Sequence, residues 1–116
     1  MLNKVLLNGR LVADVELNNY GKGKNAGVFT RFTLAVNDGK NEDGESVAQF
    51  ITCKAFNKTA ELLEEYVGKG DMVTVVGKLV NNNWEDKDGN KHYSTEINVL
   101  EIDLLPNKRE EKKSKR

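Results

Sequence analysis

The chain has one cysteine, one proline, one histidine and one tryptophan among 116 residues. A lone thiol, Cys53, makes no intramolecular bridge and no metal site, so neither disulfides nor a metal cluster is expected to hold the fold. Its place on the apolar side of a strand reads as a small buried hydrophobe. A single histidine, His92, beside a turn leaves no Ser-His-Asp or Cys-His set for nucleophilic or acid–base catalysis, and reads as an exposed turn-side residue. The glycines Gly21, Gly23 and Gly27 lack the strand–loop–helix context of a phosphate loop. No apolar run approaches the roughly 20 residues of a membrane span, and the N-terminus lacks a charged-then-apolar signal region. The expectation is a soluble, cytoplasmic protein that is not an enzyme, with no cofactor, no metal and no membrane partner.

Excess charge of either sign is also lacking, since the formal net charge is zero. The distribution is uneven. Residues 1–106 hold 12 Lys and Arg against 16 Asp and Glu, whereas residues 107–116 hold 6 against 2. The expected division is one domain over 1–106 and a disordered basic tail over 107–116. A zero net count leaves room for a local basic groove, because phosphates respond to nearby cations.

What the chain does have is strand pattern. Gln49 to Phe56 alternates, with Ile51, Cys53 and Ala55 on a core side and Phe50, Thr52, Lys54 and Phe56 on the other. Two aromatics flanking a lysine suit a surface that stacks flat rings and attracts negative charge. A subunit interface is the other use for such a face, and for Phe50 the choice between stacking and packing stays open.

Upstream, Leu2 to Leu17 reads as one long first strand bent at Gly9. Val28 to Asn37 reads as a second, with Phe32, Leu34 and Val36 inward and Phe29, Arg31, Thr33 and Ala35 outward. A polar, acidic loop, Asp38 to Ser46, follows. After the third strand, Asn57 is the expected N-cap of a helix over 58–67 with Leu62, Leu63, Tyr66 and Val67 as its apolar stripe, and Gly68 the expected left-handed C-cap. Met72 to Val80 and Thr95 to Leu105 are the fourth and fifth strands, the last ended by Pro106. Asp88-Gly89 signals a reversal, so 80–97 is a hairpin with Trp84 on its outgoing arm. One short helix between strands 3 and 4 of five, with glycine bends, predicts an all-β, five-stranded OB-fold Greek-key barrel with a protruding hairpin.

These residues also carry a resemblance. Met1-Leu2-Asn3-Lys4-Val5 running to Gly9-Arg10-Leu11, then Phe32-Thr33-Leu34-Ala35-Val36, Cys53-Lys54-Ala55-Phe56-Asn57-Lys58, Val67-Gly68-Lys69-Gly70, Gly77-Lys78-Leu79 and the Trp84…Tyr93-Ser94-Thr95-Glu96 hairpin resemble, in order, the OB-fold domain of bacterial and phage single-stranded DNA-binding proteins. The resemblance spans about residues 1–105. It implies a homotetramer that binds single-stranded DNA in replication, recombination or repair, inside a bacterial cell or a phage-infected host. It places stacking aromatics at Phe50, Phe56 and Trp84 and phosphate-contacting lysines at Lys4, Lys54, Lys58 and Lys69. Three departures stand out. Asn82 and Asn83 occupy positions that are basic in many relatives, the loop after the second strand has no aromatic, and the chain ends Lys112-Lys113-Ser114-Lys115-Arg116 with no acidic tip. They imply weaker or more salt-sensitive binding, and weigh against tail-mediated recruitment of repair enzymes. The alternative function is an OB-fold replication accessory that acts mainly as a protein-binding adaptor.

Overall fold

The structure, a computed structural model, describes residues 1–104. Six strands and one α-helix follow in the order β1 (Val5–Leu11), β2 (Asn18–Tyr20), β3 (Gly27–Lys40), β4 (Ser46–Phe56), α1 (Asn57–Tyr66), β5 (Met72–Glu85) and β6 (Lys91–Leu104). The expected disordered tail, and the strand end at Pro106, lie outside the described residues.

Five of the strands close on themselves. β1 pairs antiparallel with β5 from Val5↔Gly77 to Arg10↔Met72, and its end also pairs with β3 through Arg10↔Ala35 and Leu11↔Leu34. β3 runs antiparallel to β4, β4 parallel to β6, and β6 antiparallel to β5. The circuit β1–β3–β4–β6–β5–β1 is the five-stranded OB barrel that the strand pattern predicted. Closure gives each of the five strands a neighbour on both sides over part of its length, while, among the described residues, the β5 arm beyond Gly77 pairs only with β6. β2 adds a short strand outside β3.

Two glycines make the bends possible. β1 must serve two neighbours, and at Gly9 a side chain would start 2.9 Å from the Ala35 carbonyl oxygen. Gly77 sits where the β5–β6 register shifts, and a side chain there would collide with the Asn98 carbonyl oxygen. Each position admits only glycine, because neighbouring backbone occupies the space a Cβ needs.

Alternation then fills the interior. Leu11, Phe32, Leu34, Cys53, Ala55, Val73, Val75, Ile97 and Val99 are buried, and Ala60, Leu63 and Val67 close the barrel from the helix side. The expected helical stripe is only partly correct. Leu63 and Val67 are buried, Leu62 is half-buried, and Tyr66 is exposed. The helix ends at Tyr66, and Val67, with extended backbone, turns inward instead.

Four further expectations are corrected. The first strand stops at Leu11 rather than running to Leu17. There Leu11 donates its N–H to the Asp71 carbonyl (2.9 Å) and accepts from Gly70 N (2.8 Å), while Val12 N bonds the Thr33 carbonyl (3.2 Å). These bonds tie off the strand, and Asp14 Oδ1 accepts from Lys69 N at 2.7 Å in the segment beyond. Asn57 is not a cap. Phe56 holds the N-cap position without a side-chain bond, and Asn57 itself adopts φ 51°. Asparagine tolerates that left-handed backbone. Its Oδ1 accepts from Val28 N (3.1 Å) and from the Tyr20 hydroxyl (3.2 Å), fastening β2 and β3 to the helix start. Gly68 is not left-handed either; that conformation falls to Gly70, at φ 88°. Finally, β3 and β4 run longer than expected, reducing the acidic loop to residues 41–45, where Asn41 Oδ1 accepts from Asp43 N and Glu45 N.

Burial, and secondarily the negative charge of Glu96, push the Cys53 thiol up to about 12 from an ordinary 9.0. The folded chain therefore holds this proton more tightly than the unfolded chain. Stability from this group is complete below about pH 9, declines as pH rises above it, and is exhausted near 12. Native protein at mildly alkaline pH is expected to resist iodoacetamide, with Cys53 alkylated only as denaturant unfolds the chain. Equal alkylation rates in native and unfolded protein would refute this placement of the thiol.

Candidate nucleic-acid interface

Cross-strand partners share a face of the sheet. On β3 and β4 the outward pairs are Phe29↔Phe56, Arg31↔Lys54, Thr33↔Thr52 and Ala35↔Phe50. The face then crosses to β6, because Lys54 pairs with Asn98 in the parallel ladder. Every second residue back along β6, namely Glu96, Ser94 and His92, stays on this side. Their partners on β5 are Val80, Asn82 and Trp84. Trp84 and Phe56, 28 positions apart in sequence, thus lie on one continuous outer surface.

At one end of that surface three rings meet. Tyr20, Phe29 and Phe56 have centroid separations of 6.2, 6.1 and 6.5 Å, with the Tyr20–Phe56 pair edge-to-face. Lys54 Nζ stands 4.7 Å from the Phe29 centroid and 5.2 Å from that of Phe56. The ammonium is held by the electron-rich ring faces and remains on the outer surface, available to an anion. At the other end, Trp84 stacks on His92 with centroids 4.0 Å apart and planes 12° from parallel. The indole is 52% exposed.

Between the two ends lies an ion pair. Arg31 Nε donates to Glu96 Oε2 at 2.8 Å, and the Glu96 side chain is only 8% exposed. An unpaired carboxylate here would repel phosphates and carry a large desolvation cost. The guanidinium neutralises it and ties β3 to the root of the hairpin.

The predicted site residues are therefore unequally gathered. Phe56 and Lys54 are in direct contact. Trp84 shares their face. Phe50 lies on the same face six residues up β4, about 20 Å from Phe56. It is 67% exposed, opposite Ala35, so it belongs to no core of this chain. Lys58 is exposed in the first turn of α1, Lys69 lies in the loop anchored by Asp14, and Lys4 precedes β1 beside the clamp that Asn3 makes on the Leu79 backbone. These three lysines stand on other elements than the strands that carry Lys54 and Trp84.

Sequence reasoning passed over four residues of this surface. Phe29 and Arg31 were placed outward, but only the β3–β4 register puts them beside Phe56 and Lys54. Tyr20 sat in a glycine-rich loop with no periodic signal. His92, expected to be a plain exposed residue, is half-buried against Trp84 and bonded to Asp86 at 2.9 Å. Its position, eight residues after Trp84 across an Asp-Gly turn, was the available clue.

Comparison with known proteins gives the family. The sequence matches the Single-strand binding protein family over residues 2–105. It is 39% identical over 106 residues to the "Single-stranded DNA-binding protein 1" of Streptococcus pyogenes, spanning 90% of this chain and 79% of that protein. It is 41% identical over 106 residues to the "Single-stranded DNA-binding protein 2" of Staphylococcus aureus, spanning 90% and 73%. A Clostridium perfringens "Single-stranded DNA-binding protein" is 39% identical over 104 residues, covering 90% of this chain and 66% of its own length. With nearly the whole barrel matched, the chain belongs to the single-strand binding protein family.

Proposed function

We propose that the protein binds single-stranded DNA with little regard to sequence, as a binding protein and not an enzyme. The observation that carries this reading is the single outer face on which Phe56, with Lys54 over it, is continuous with Trp84 through the β4–β6 register. Base stacking on aromatic side chains is sequence-tolerant because every base has a π-face, and each stacked base contributes roughly 1–3 kcal/mol. Lysine supplies the charge for the backbone. One OB domain engages about 4–16 nucleotides. Lys54 is the central phosphate contact, with Lys4, Lys58 and Lys69 along the outgoing strand. Phe50 extends the stacking surface. The role is protection of single strands in replication, recombination or repair, in the cytoplasm of a bacterial cell or phage-infected host. No helix among the described residues is long and apolar enough to cross a membrane.

The working form is a homotetramer. What supports self-association is an exposed apolar strip on β1, β5 and β6. Leu6 pairs with Val76, and Leu100 occupies the adjacent bulge of β6; Leu6 and Leu100 are 65% and 60% exposed. Apolar side chains contiguous across three strands are uncommon on a surface that stays in water.

Titration with poly(dT) at low salt is expected to quench Trp84 emission. Phe56→Ala is expected to weaken binding by roughly 1–3 kcal/mol, as is Trp84→Ala followed by mobility shift. Wild-type affinity in both variants would overturn the stacking role, and with a protein partner lost would favour the adaptor. Affinity should fall steeply with salt, and Lys54→Ala should flatten the slope of log K against log[salt] by about 0.7. A salt-independent affinity would refute phosphate contact. Light scattering should give four times the chain mass, and Leu6→Glu should lower it; a monomeric wild type refutes the tetramer.

A further inference from the structure

The one histidine is fixed more firmly than a surface residue needs. Asp86 Oδ1 accepts from Asp88 N and Asn90 N, each at 2.9 Å, and Asp86 N donates to the Asn90 carbonyl. The turn thus fixes the carboxylate, Asp86 Oδ2 fixes His92 Nε2, and the imidazole lies flat on the indole. The opposite face of the indole is open. β1 accompanies β5 only as far as the Val5↔Gly77 pair, so no described strand flanks the hairpin arm at Trp84.

Charge on this stretch is sparse. From the turn to Glu96 the face consists of Trp84, Asn82 and Val80 on β5 and His92 and Ser94 on β6. Glu96 is occupied by Arg31. The Glu85↔Lys91 pair belongs to the other face of the hairpin, and Lys87 and Asp88 belong to the turn. Asp86 is the charged group that touches the imidazole. Its carboxyl is held below the usual carboxylate range, chiefly by the His92 hydrogen bond, so it stays ionised near neutral pH. With neutral His92 the hairpin presents that negative charge to an approaching strand. With protonated His92 the pair is neutral, and Nδ1 gains an N–H that no hydrogen bond among the described residues occupies.

We propose that His92 is a DNA-binding residue of the hairpin, backing Trp84 so that a base stacks on the free indole face, and supplying in its protonated form the cation for the adjoining phosphate. This role rests on the single-stranded DNA reading above. Histidine changes charge between about pH 5 and 8. A phosphate beside it favours the protonated form, so binding takes up a proton. Affinity rises as pH falls through this range and is lost as pH rises.

The test is oligo(dT) affinity at about pH 8 and about pH 6 for wild type, His92→Gln and His92→Arg. Thymine gains no proton in this interval, so any pH dependence belongs to the protein. Wild type is expected to bind roughly three- to tenfold more tightly at the lower pH, with a salt slope steeper by about 0.7. His92→Gln should hold the weaker affinity at both pH values, and His92→Arg the tighter one. In free wild type, Trp84 emission should fall as the stacked imidazole gains its proton, and His92→Gln should abolish that change. Binding that is equally tight at both pH values in wild type, or a pH dependence retained in His92→Gln, overturns the role of His92 while leaving DNA binding intact. Absence of binding by all three proteins overturns DNA binding itself, and the role of His92 with it.

Discussion

A ladder of two residue pairs in the barrel has the widest consequences. β4 and β6 meet in parallel through Cys53↔Ile97 and Lys54↔Asn98 alone. That contact closes the ring, and it sets which residues of the hairpin point the same way as Lys54. A slip of one residue would send Trp84 and His92 to the opposite side from Phe56, because strand side chains alternate with a period of two. Arg31–Glu96 locks the same junction from the outer surface, and burial of Cys53 and Ile97 locks it from within. The functional face and the core are fixed by the same few residues.

The charge economy of the molecule follows from this arrangement. The folded domain carries more acid than base, yet the outer face places its acids where they are answered. Glu96 is paired with Arg31, and Asp86 is bonded to His92 and to two backbone N–H groups. Lys54 is spread over two aromatic rings and, among the described residues, makes no ion pair with a carboxylate. A ring contact is weaker than a desolvated ion pair, so the ammonium is easier to share with a phosphate. Neutralised acids and lightly held bases give a favourable local field for a polyanion despite an unfavourable count over the domain.

Much of the fold was legible because period-two patterning and glycine placement are local signals. Phe32 and Leu34 alternate inward as their spacing indicates, and Gly9 and Gly77 fall where neighbouring backbone leaves no room for a Cβ. Element ends were less legible. Leu17 and Val12 look like strand residues, but the backbone bonds that stop β1 come from Asp71 and Gly70, some 60 residues away. Asn57 has the composition of a cap, and lost that role to a distant demand from Tyr20 and Val28.

The sequence by itself determined the barrel, its single helix, the buried Cys53 and the outward aromatic–lysine pattern of β4. Those depend on side-chain chemistry repeated at fixed intervals along the chain. Only the tertiary structure decided that Phe29 and Tyr20 join Phe56, that Arg31 neutralises Glu96, and that Trp84 faces the same way with His92 behind it. Each of these depends on strand register, which is set by how the five strands close together and is written in no one segment.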